Sequence, residues 1–495
     1  MEKFYMQVEA VNLSQFVYDT HDISTIRGGS FLLLEAIEGL AAAFEGRLTQ
    51  ITAAASRGIF SLLVDKNEDA PKEFLDKLVT DVLQHLQDVT DSHATFLVAV
   101  EKDEGVFPSI LERLTAQIRR QQWRMPTVQV PMYGGAAKEC FIDGWRPGTK
   151  PYRGDPGITD EKISEATWFR RERGIQFKHK LFSTLLGDRD YEYDDALCAK
   201  DLEALTTDDS KGVLSGRMAY IHIDGNSFGR IRKEQCDSEE TLKKFDDVIQ
   251  ESCRKPFLRA LLERAGGDAD FQTVLGTNRA LRLEVLLWGG DEMTIVVPAW
   301  KGLETLRLFY DHAKSLPFGD VALTHRAVMV LCHHNAPILQ IRKIADDLLD
   351  RTKEDIGATP PDGGQLDHVR GDAMHFLSLE SFDMLQGDLG SFIRQYYKDV
   401  TYSHLLLHAH ELSDVFGSLS IIRQNVAQGR VIEAGMALRR TGVEGFDKVM
   451  VRLYETLPGG DRAAVKAAVE SVLAGDPTRW YLVTDLWDYL SEWGA

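Results

Sequence analysis

The sequence predicts an α+β fold: two successive units of alternating strands and helices, a connecting region between them, and an all-α C-terminal domain. Three observations predict it. The hydrophobic period switches repeatedly between two and about 3.6 residues over residues 1–132. The same alternation returns over residues 216–380. From residue 381 onward, apolar residues recur at three and four spacing as far as Trp493. A chain of 495 residues is too long for a single core, and about three domains are expected.

In the first unit, residues 3–11 (KFYMQVEAV) read as a strand, 30–44 as a helix, 58–65 (GIFSLLVD) as a strand and 71–87 as a helix. Residues 94–100 (ATFLVAV) follow as a strand, 110–122 as a helix and 127–132 (TVQVPM) as a last strand. Residues 133–215 are rich in Gly, Pro and charge near their start, which punctuates a chain rather than extending elements. They read as an insert or linker.

The second unit begins with a strand at 217–224 (RMAYIHID) and a helical stretch at 239–263. Two apolar runs, 279–288 and 293–298, flank Gly289-Gly290-Asp291-Glu292, a pattern that reads as a β-hairpin with the tetrad at its tip. A helix at 302–314, a strand at 322–332, a helix at 338–353 and a strand at 373–379 complete it, with 357–371 as a loop carrying Pro360-Pro361 and Gly363-Gly364. The similar element order of the two units is compatible with a divergent duplication.

Composition narrows the function classes. Fifty-seven Lys and Arg against 76 Asp and Glu leave a net charge of −19, which argues against a generic DNA or RNA coat, because such affinity rests on cations that neutralise phosphates. A local basic groove stays compatible with it. Five scattered cysteines, Cys140, Cys198, Cys236, Cys253 and Cys332, form no Cys-x-x-Cys pair and imply no disulfide framework. The N-terminal stretch has no cationic region followed by an apolar run, and no segment approaches the roughly 20 apolar residues of a membrane helix. A soluble cytoplasmic protein with no membrane partner is the expectation.

The chemistry gathers in the second unit. Asp224 ends an apolar strand and is followed by Gly225-Asn226-Ser227-Phe228-Gly229. A carboxylate there emerges at a sheet edge, and a Gly-bearing turn before a helix leaves backbone N–H groups to face an anion. That suits a metal-bound triphosphate. The hairpin tip adds Asp291 and Glu292 beside glycines that let a ligand approach the backbone. If the hairpin lies next to the Asp224 strand, Asp224 and Asp291 can share two Mg²⁺ ions, as phosphoryl transfer requires. The plainer alternative is a tight turn with solvated acids. Each motif alone is weak, and their combination favours catalysis.

With those residues in view, the second unit resembles the nucleotide-cyclising palm shared by diguanylate cyclases of the GGDEF type and the large polymerase-like subunit of type III CRISPR complexes. The second comparison is nearer. The stretch AYIHIDGNSFG is similar to that subunit's first metal strand, LLWGGDEMTIVVP to its metal hairpin, and MVLCHHNAPILQIRKIADDLLDRTK to its following strand and helix. Upstream, DTHDISTIRGGSFLLLEA resembles the start of its N-terminal palm and KECFIDGWRP its inter-palm knuckle. The resemblance implies two ferredoxin-like palm (nucleotidyl cyclase) domains at 1–132 and 216–380, a degenerate zinc-knuckle region at 133–215, and a helical domain at 381–495.

Carried to this chain, it implies catalytic, metal-binding Asp224 and Asp291, with Glu292 as a third acid, and nucleotide contacts from Gly225, Asn226, Ser227, Gly289 and Gly290. Lys353 would contact the triphosphate, or else be a solvated lysine at a helix C-terminus. Arg27, Gly28, Gly29 and Ser30 would line an opposing nucleotide pocket, or else form a turn with Ser30 as helix N-cap. Two Mg²⁺ or Mn²⁺ ions are the implied cofactors.

Several features depart from the family. His21-Asp22 has no partner histidines at helical spacing, so no nuclease site is expected. Cys140 and Cys198, even with His179, fall short of the four ligands of a closed zinc site, and no structural zinc is expected. The hairpin reads Gly-Gly-Asp-Glu where the family commonly has two aspartates. His333 and His334 could not grip one ion without a bend, since successive strand residues point to opposite faces, and are expected to be one turn and one sheet histidine; Tyr396, Tyr397, Trp480, Trp487 and Trp493 are expected to pack helices.

The leading functional expectation is an enzyme that joins ATP through 3′-5′ linkages into a cyclic oligoadenylate messenger, the central palm holding the donor nucleotide and the N-terminal palm the acceptor. The rival is a scaffold subunit that binds guide RNA and sister effector subunits with little turnover. A GTP-using cyclase is a third option, since nothing in the tetrad discloses the base.

Overall fold

The computed structural model describes residues 1–54, 56–65, 71–125, 138–154, 157–158, 160–186, 198–275, 278–314, 316–357, 371–379, 389–397 and 405–490. The chain divides into two compact units. The first comprises Met1–Asp195, Ser227–Lys255 and Val285–Thr294, the second Ala196–Asn226, Pro256–Glu284 and Ile295–Ala495.

The first unit is built on a four-stranded sheet of β1 (Glu2–Val11), β2 (Thr49–Ala54), β3 (Arg57–Val64) and β4 (Thr95–Lys102) in the order β2–β3–β1–β4. β1 runs antiparallel to both neighbours, Glu9 facing Arg57 on one side and Leu97 on the other. Helices α1 (Ile23–Glu38), α2 (Pro71–Val89) and α3 (Phe107–Gln122) complete a β-α-β-β-α-β succession followed by a further helix. α3 shows why these segments are helical: Pro108 occupies its first turn, and Arg119 and Arg120 its last. Its buried residues, Phe107, Ile110, Leu114 and Ile118, lie on one stripe.

α1 starts earlier than expected. The Asp22 side chain caps it by accepting from the Thr25 backbone N–H at 2.7 Å, so residues 27–30 lie inside the helix and Ser30 is not its cap. The region from 133 to 215 also contains more structure than its composition suggests, because α4 (Glu165–Leu186) is a 22-residue helix. Its charged runs, RRER and KHK, mask its apolar positions.

The second sheet has six strands: β5 (Arg217–Gly225), β6 (Glu284–Trp288), β7 (Glu292–Pro298), β8 (His325–His333), β9 (Ala373–Ser378) and β10 (Leu407–His408), in the order β6–β7–β5–β8–β9–β10. Its first four strands repeat the arrangement of the N-terminal sheet: second, third, first, fourth. β5 is antiparallel to β8, placing Asp224 opposite Arg326, and β8 is parallel to β9. α5 (Phe228–Gln235) precedes the stretch read as helical at 239–263, which comprises α6 (Glu239–Ile249), a π-helical turn at Gln250–Arg254 and most of α7 (Lys255–Gly267). α8 (Gly302–Ala313) and α9 (Ile338–Gly357) match the remaining expected helices. The runs at 279–288 and 322–332 each divide, because Asn278–Leu281 and Val321–Leu323 pair in separate two-stranded ribbons.

The C-terminal part is mostly helical, with α10 (Leu389–Tyr397), α11 (Leu412–Asn425), α12 (Gln428–Thr456), α13 (Gly459–Leu473) and α14 (Trp480–Leu486); among the described residues, β10 breaks the pattern by joining the sheet. Trp480 is fully buried and donates from Nε1 to the Val431 carbonyl at 3.1 Å. Tyr397 is buried and donates to Asp485 at 2.7 Å, so these aromatics pack as the sequence suggests. The expected strand at 127–132, most of the expected loop at 357–371, and Trp493 lie outside the described residues.

Candidate functional site

β5 is buried along almost its whole length, and its alternation delivers Asp224, 8% exposed, to the strand end. There its Oδ2 forms an ion pair with Nη2 of Arg326, its cross-strand neighbour on β8. Arg326 is itself 6% exposed and donates through Nη1 to Asn226 Oδ1 at 3.2 Å. The turn after Asp224 is held firmly. The Asn226 backbone N–H donates to the Thr324 carbonyl at 2.8 Å, and its side-chain amide donates to Thr324 Oγ1 at 3.1 Å and to the Gly371 carbonyl. The Asn226 N–H, expected to face an anion, is therefore already bonded within the fold. Ser227 then adopts a left-handed conformation, φ 56°, at the entry to α5.

The tetrad forms the hairpin turn that the sequence predicts: the Gly289 N–H donates to the Glu292 carbonyl at 2.8 Å, and Asp291 and Glu292 are both exposed. Two contacts fix this turn within the first unit. Arg254, 1% exposed, donates through Nη1 to the Gly289 carbonyl, and its guanidinium carbon lies 5.9 Å from the centroid of the Trp288 ring. Gly290 sits against β2 so closely that a Cβ there would meet the Ala54 Cβ at 2.8 Å. Nearby, burial raises the Asp246 carboxyl to about 6, with Asp247 adding to the rise and Arg254, the Ala53 backbone N–H and Arg232 opposing it.

Arg27, Gly28, Gly29 and Ser30 are all buried on α1. Arg27 donates to the Gly174 carbonyl of α4 at 2.8 Å. A Cβ on Gly28 would come within 1.8 Å of the Arg170 carbonyl oxygen, and one on Gly174 within 1.8 Å of the Ser24 carbonyl oxygen. The paired glycines thus allow two helix backbones to touch. The structure places the Arg-Gly-Gly-Ser motif in a helix crossing.

Lys353 belongs to α9, and its side chain lies outside the described residues, as does that of His179. Cys140 is buried, and its Sγ accepts from the Asp143 N–H at 3.3 Å. Asp143 organises that turn. Its carboxylate accepts from the backbone N–H groups of Trp145 (3.1 Å) and Arg146 (2.9 Å) and from the hydroxyls of Ser164 and Thr167, both at 2.7 Å. Burial alone would raise its pKa, and these bonds outweigh burial to bring it down to about 2. Cys198 is also buried. His333 and His334 fall as one sheet histidine and one turn histidine, as expected. Their ring centroids are 4.4 Å apart, because β8 ends at His333 and the His334 N–H turns to the Gly216 carbonyl.

Asp224 falls in the second unit, and Asp291 and Glu292 in the first. Carboxylate oxygens are the donors that a hard divalent cation prefers, so these side chains suit Mg²⁺ or Mn²⁺ in kind, although Asp224 already faces a guanidinium. Among the described residues, no three His, Cys, Asp or Glu side chains cluster closely enough to hold a metal ion by themselves. Sequence reasoning missed Arg326 and Arg254. Arg326 had a signal, as a charged residue inside the apolar strand HRAVMVLCH. Arg254 had none, since a helical Arg ordinarily points to solvent.

No protein-family model matches the chain, and no curated protein matches it. Solved structures do. The apo Csm1–Csm4 cassette matches at 13% identity and a TM-score of 0.50, covering 99% of this chain and 69% of that one. Csm1 of T. onnurineus matches at 12% identity, with the same coverage and TM-score. A Csm1–Csm4 cassette in complex with cA4 matches at 12% identity and a TM-score of 0.44 over 71% of this chain, which spans 53% of that chain's length. The fold of this chain is that of Csm1. Among the described residues, no helix is long and apolar enough to cross a membrane.

Proposed function

We propose that the chain is a nucleotidyltransferase that condenses ATP into a 3′-5′-linked cyclic oligoadenylate, in a role like that of the large subunit of type III CRISPR complexes. The observation that carries this reading is one of sheet order: β7, which leads out of the acidic Gly289–Glu292 turn, is the neighbour of β5, which ends in Asp224. The Csm1 fold supports the reading, and so does the repeated strand arrangement of the two sheets, which we take as two ferredoxin-like palms.

On this reading Asp224, Asp291 and Glu292 would hold two Mg²⁺ or Mn²⁺ ions, which would activate an attacking 3′-hydroxyl and neutralise departing pyrophosphate. The chain's own residues do the rest. Gly289 and Gly290 keep the turn free of side chains, so that a triphosphate can approach the backbone. Lys353 is the proposed phosphate contact at the end of α9. Rate comes from holding two nucleotides in line, one on each palm.

One observation favours a second reading. The Asp224–Arg326 ion pair gives the first carboxylate a cationic partner of its own, as a palm retained for shape would have. Under that reading the chain is a scaffold for guide RNA and sister effector subunits. Incubating the pure chain with each of the four nucleoside triphosphates and Mg²⁺ or Mn²⁺, alone and with candidate RNA, separates the readings by product mass. A cyclic adenylate supports the enzyme, a guanylate product changes the base to GTP, and no product under any condition supports the scaffold.

A further inference from the structure

The Arg326–Asp224 pair has a feature that an ordinary structural ion pair does not need. Both side chains are almost entirely buried, 6% and 8% exposed, at a strand end. They are direct register partners on antiparallel strands, which sets their Cβ atoms side by side on one face of the sheet. Arg326 also reaches past Asp224 to Asn226 Oδ1 at 3.2 Å, and Asn226 is anchored to Thr324 and Gly371. One guanidinium therefore fixes both the carboxylate and the turn behind it. Guanidinium does not lose its proton in proteins, so its charge is permanent.

We propose that Arg326 is a resident counter-cation for Asp224, a positioning residue with which any divalent ion must compete. The inference rests on the reading of Asp224 as a metal ligand and adds a consequence to it. A carboxylate already neutralised by a guanidinium attracts a second cation weakly, because the incoming ion must displace the guanidinium or share its oxygens. Bound triphosphate changes that balance. Its oxygens accept bidentate bonds from Arg, so the guanidinium gains a new anion as it gives up Asp224. Cation binding at Asp224 is thereby coupled to nucleotide binding, and each strengthens the other by the same factor.

The test is a titration of the full chain with Mn²⁺ in the absence of nucleotide, read by the electron paramagnetic resonance of free Mn²⁺. Arg326→Gln is expected to bind Mn²⁺ at least about tenfold more tightly than the native chain. Adding Asp224→Asn to Arg326→Gln should return the affinity to the native level. Arg326→Lys keeps the charge and guards against misfolding; its Mn²⁺ affinity should fall between the other two. Adding a non-hydrolysable ATP analogue should tighten Mn²⁺ binding in the native chain and much less in Arg326→Gln. Unchanged or weaker Mn²⁺ binding in both Arg326 variants, with native circular dichroism, overturns the inference, as does an insensitivity of Mn²⁺ binding to Asp224→Asn in the Arg326→Gln background. Because no turnover is read, a chain that makes no product yet shows these shifts removes the proposed reaction and leaves the counter-cation standing. A chain that makes product without these shifts does the reverse.

Discussion

The Gly289 carbonyl, first in the acidic turn, accepts a hydrogen bond from Nη1 of the buried Arg254 side chain. The turn that displays Asp291 and Glu292 is thus tied from below to the segment between α6 and α7.

Arg254→Ala should loosen that turn without unfolding the chain. Losing a charged donor from a buried carbonyl costs on the order of 1–3 kcal/mol, and the loss should be local. Hydrogen exchange of the turn amides checks this: faster exchange confined to residues around 289–292 is expected, and unchanged exchange there contradicts the tie.

Gly290 is fixed by its neighbour. A Cβ at this position meets Ala54 Cβ at 2.8 Å, and a methyl group on a strand cannot swing aside. Gly290→Ala should therefore destabilise the chain by about 1–3 kcal/mol, and Ala54→Gly in the same chain should restore most of that loss. Urea midpoints of the two single variants and the double variant give the coupling; additive effects would argue against the contact.

Asp372 supplies a pH dependence with a definite sign. Burial raises its carboxyl from the ordinary 3.8 to about 7, against the opposing effect of the His325 backbone N–H, which it accepts at 2.6 Å. A carboxyl that holds its proton more tightly in the folded chain stabilises the fold while protonated. That contribution is complete below the unfolded value of 3.8 and is lost as pH rises through about 7. The stability of the native chain relative to Asp372→Asn should accordingly fall between pH 4 and pH 7, roughly, and level off above. A flat or rising difference across that window would remove the assignment.

Much of this architecture is legible from hydrophobic period alone. β1, β3, β4, α2 and α3 fall within a few residues of their expected bounds, because each buries one regular face. What period cannot show is an edge strand with little apolar content, such as β2 (TQITAA), or a helix whose charges conceal its buried positions, such as α4. The hairpin was readable because a Gly-Gly-Asp-Glu tetrad between two apolar runs has few other solutions. Arg27–Ser30 was a harder case. Paired glycines before an apolar run fit a turn or a helix crossing equally well in one dimension, and only the partner helix, with Gly174 against Ser24, decides between them. Arg326 and Arg254 act across 102 and 35 residues of sequence, a separation that no local pattern spans.

The central claim is that Asp291 and Glu292 serve chemistry. It is tested most directly by incubating the full chain, native and carrying Asp291→Ala with Glu292→Ala, with ATP and Mg²⁺ or Mn²⁺, with and without candidate RNA, and weighing the products. The account predicts a cyclic adenylate from the native chain and none from the variant, with both chains equally folded. Equal yields from the two would contradict it.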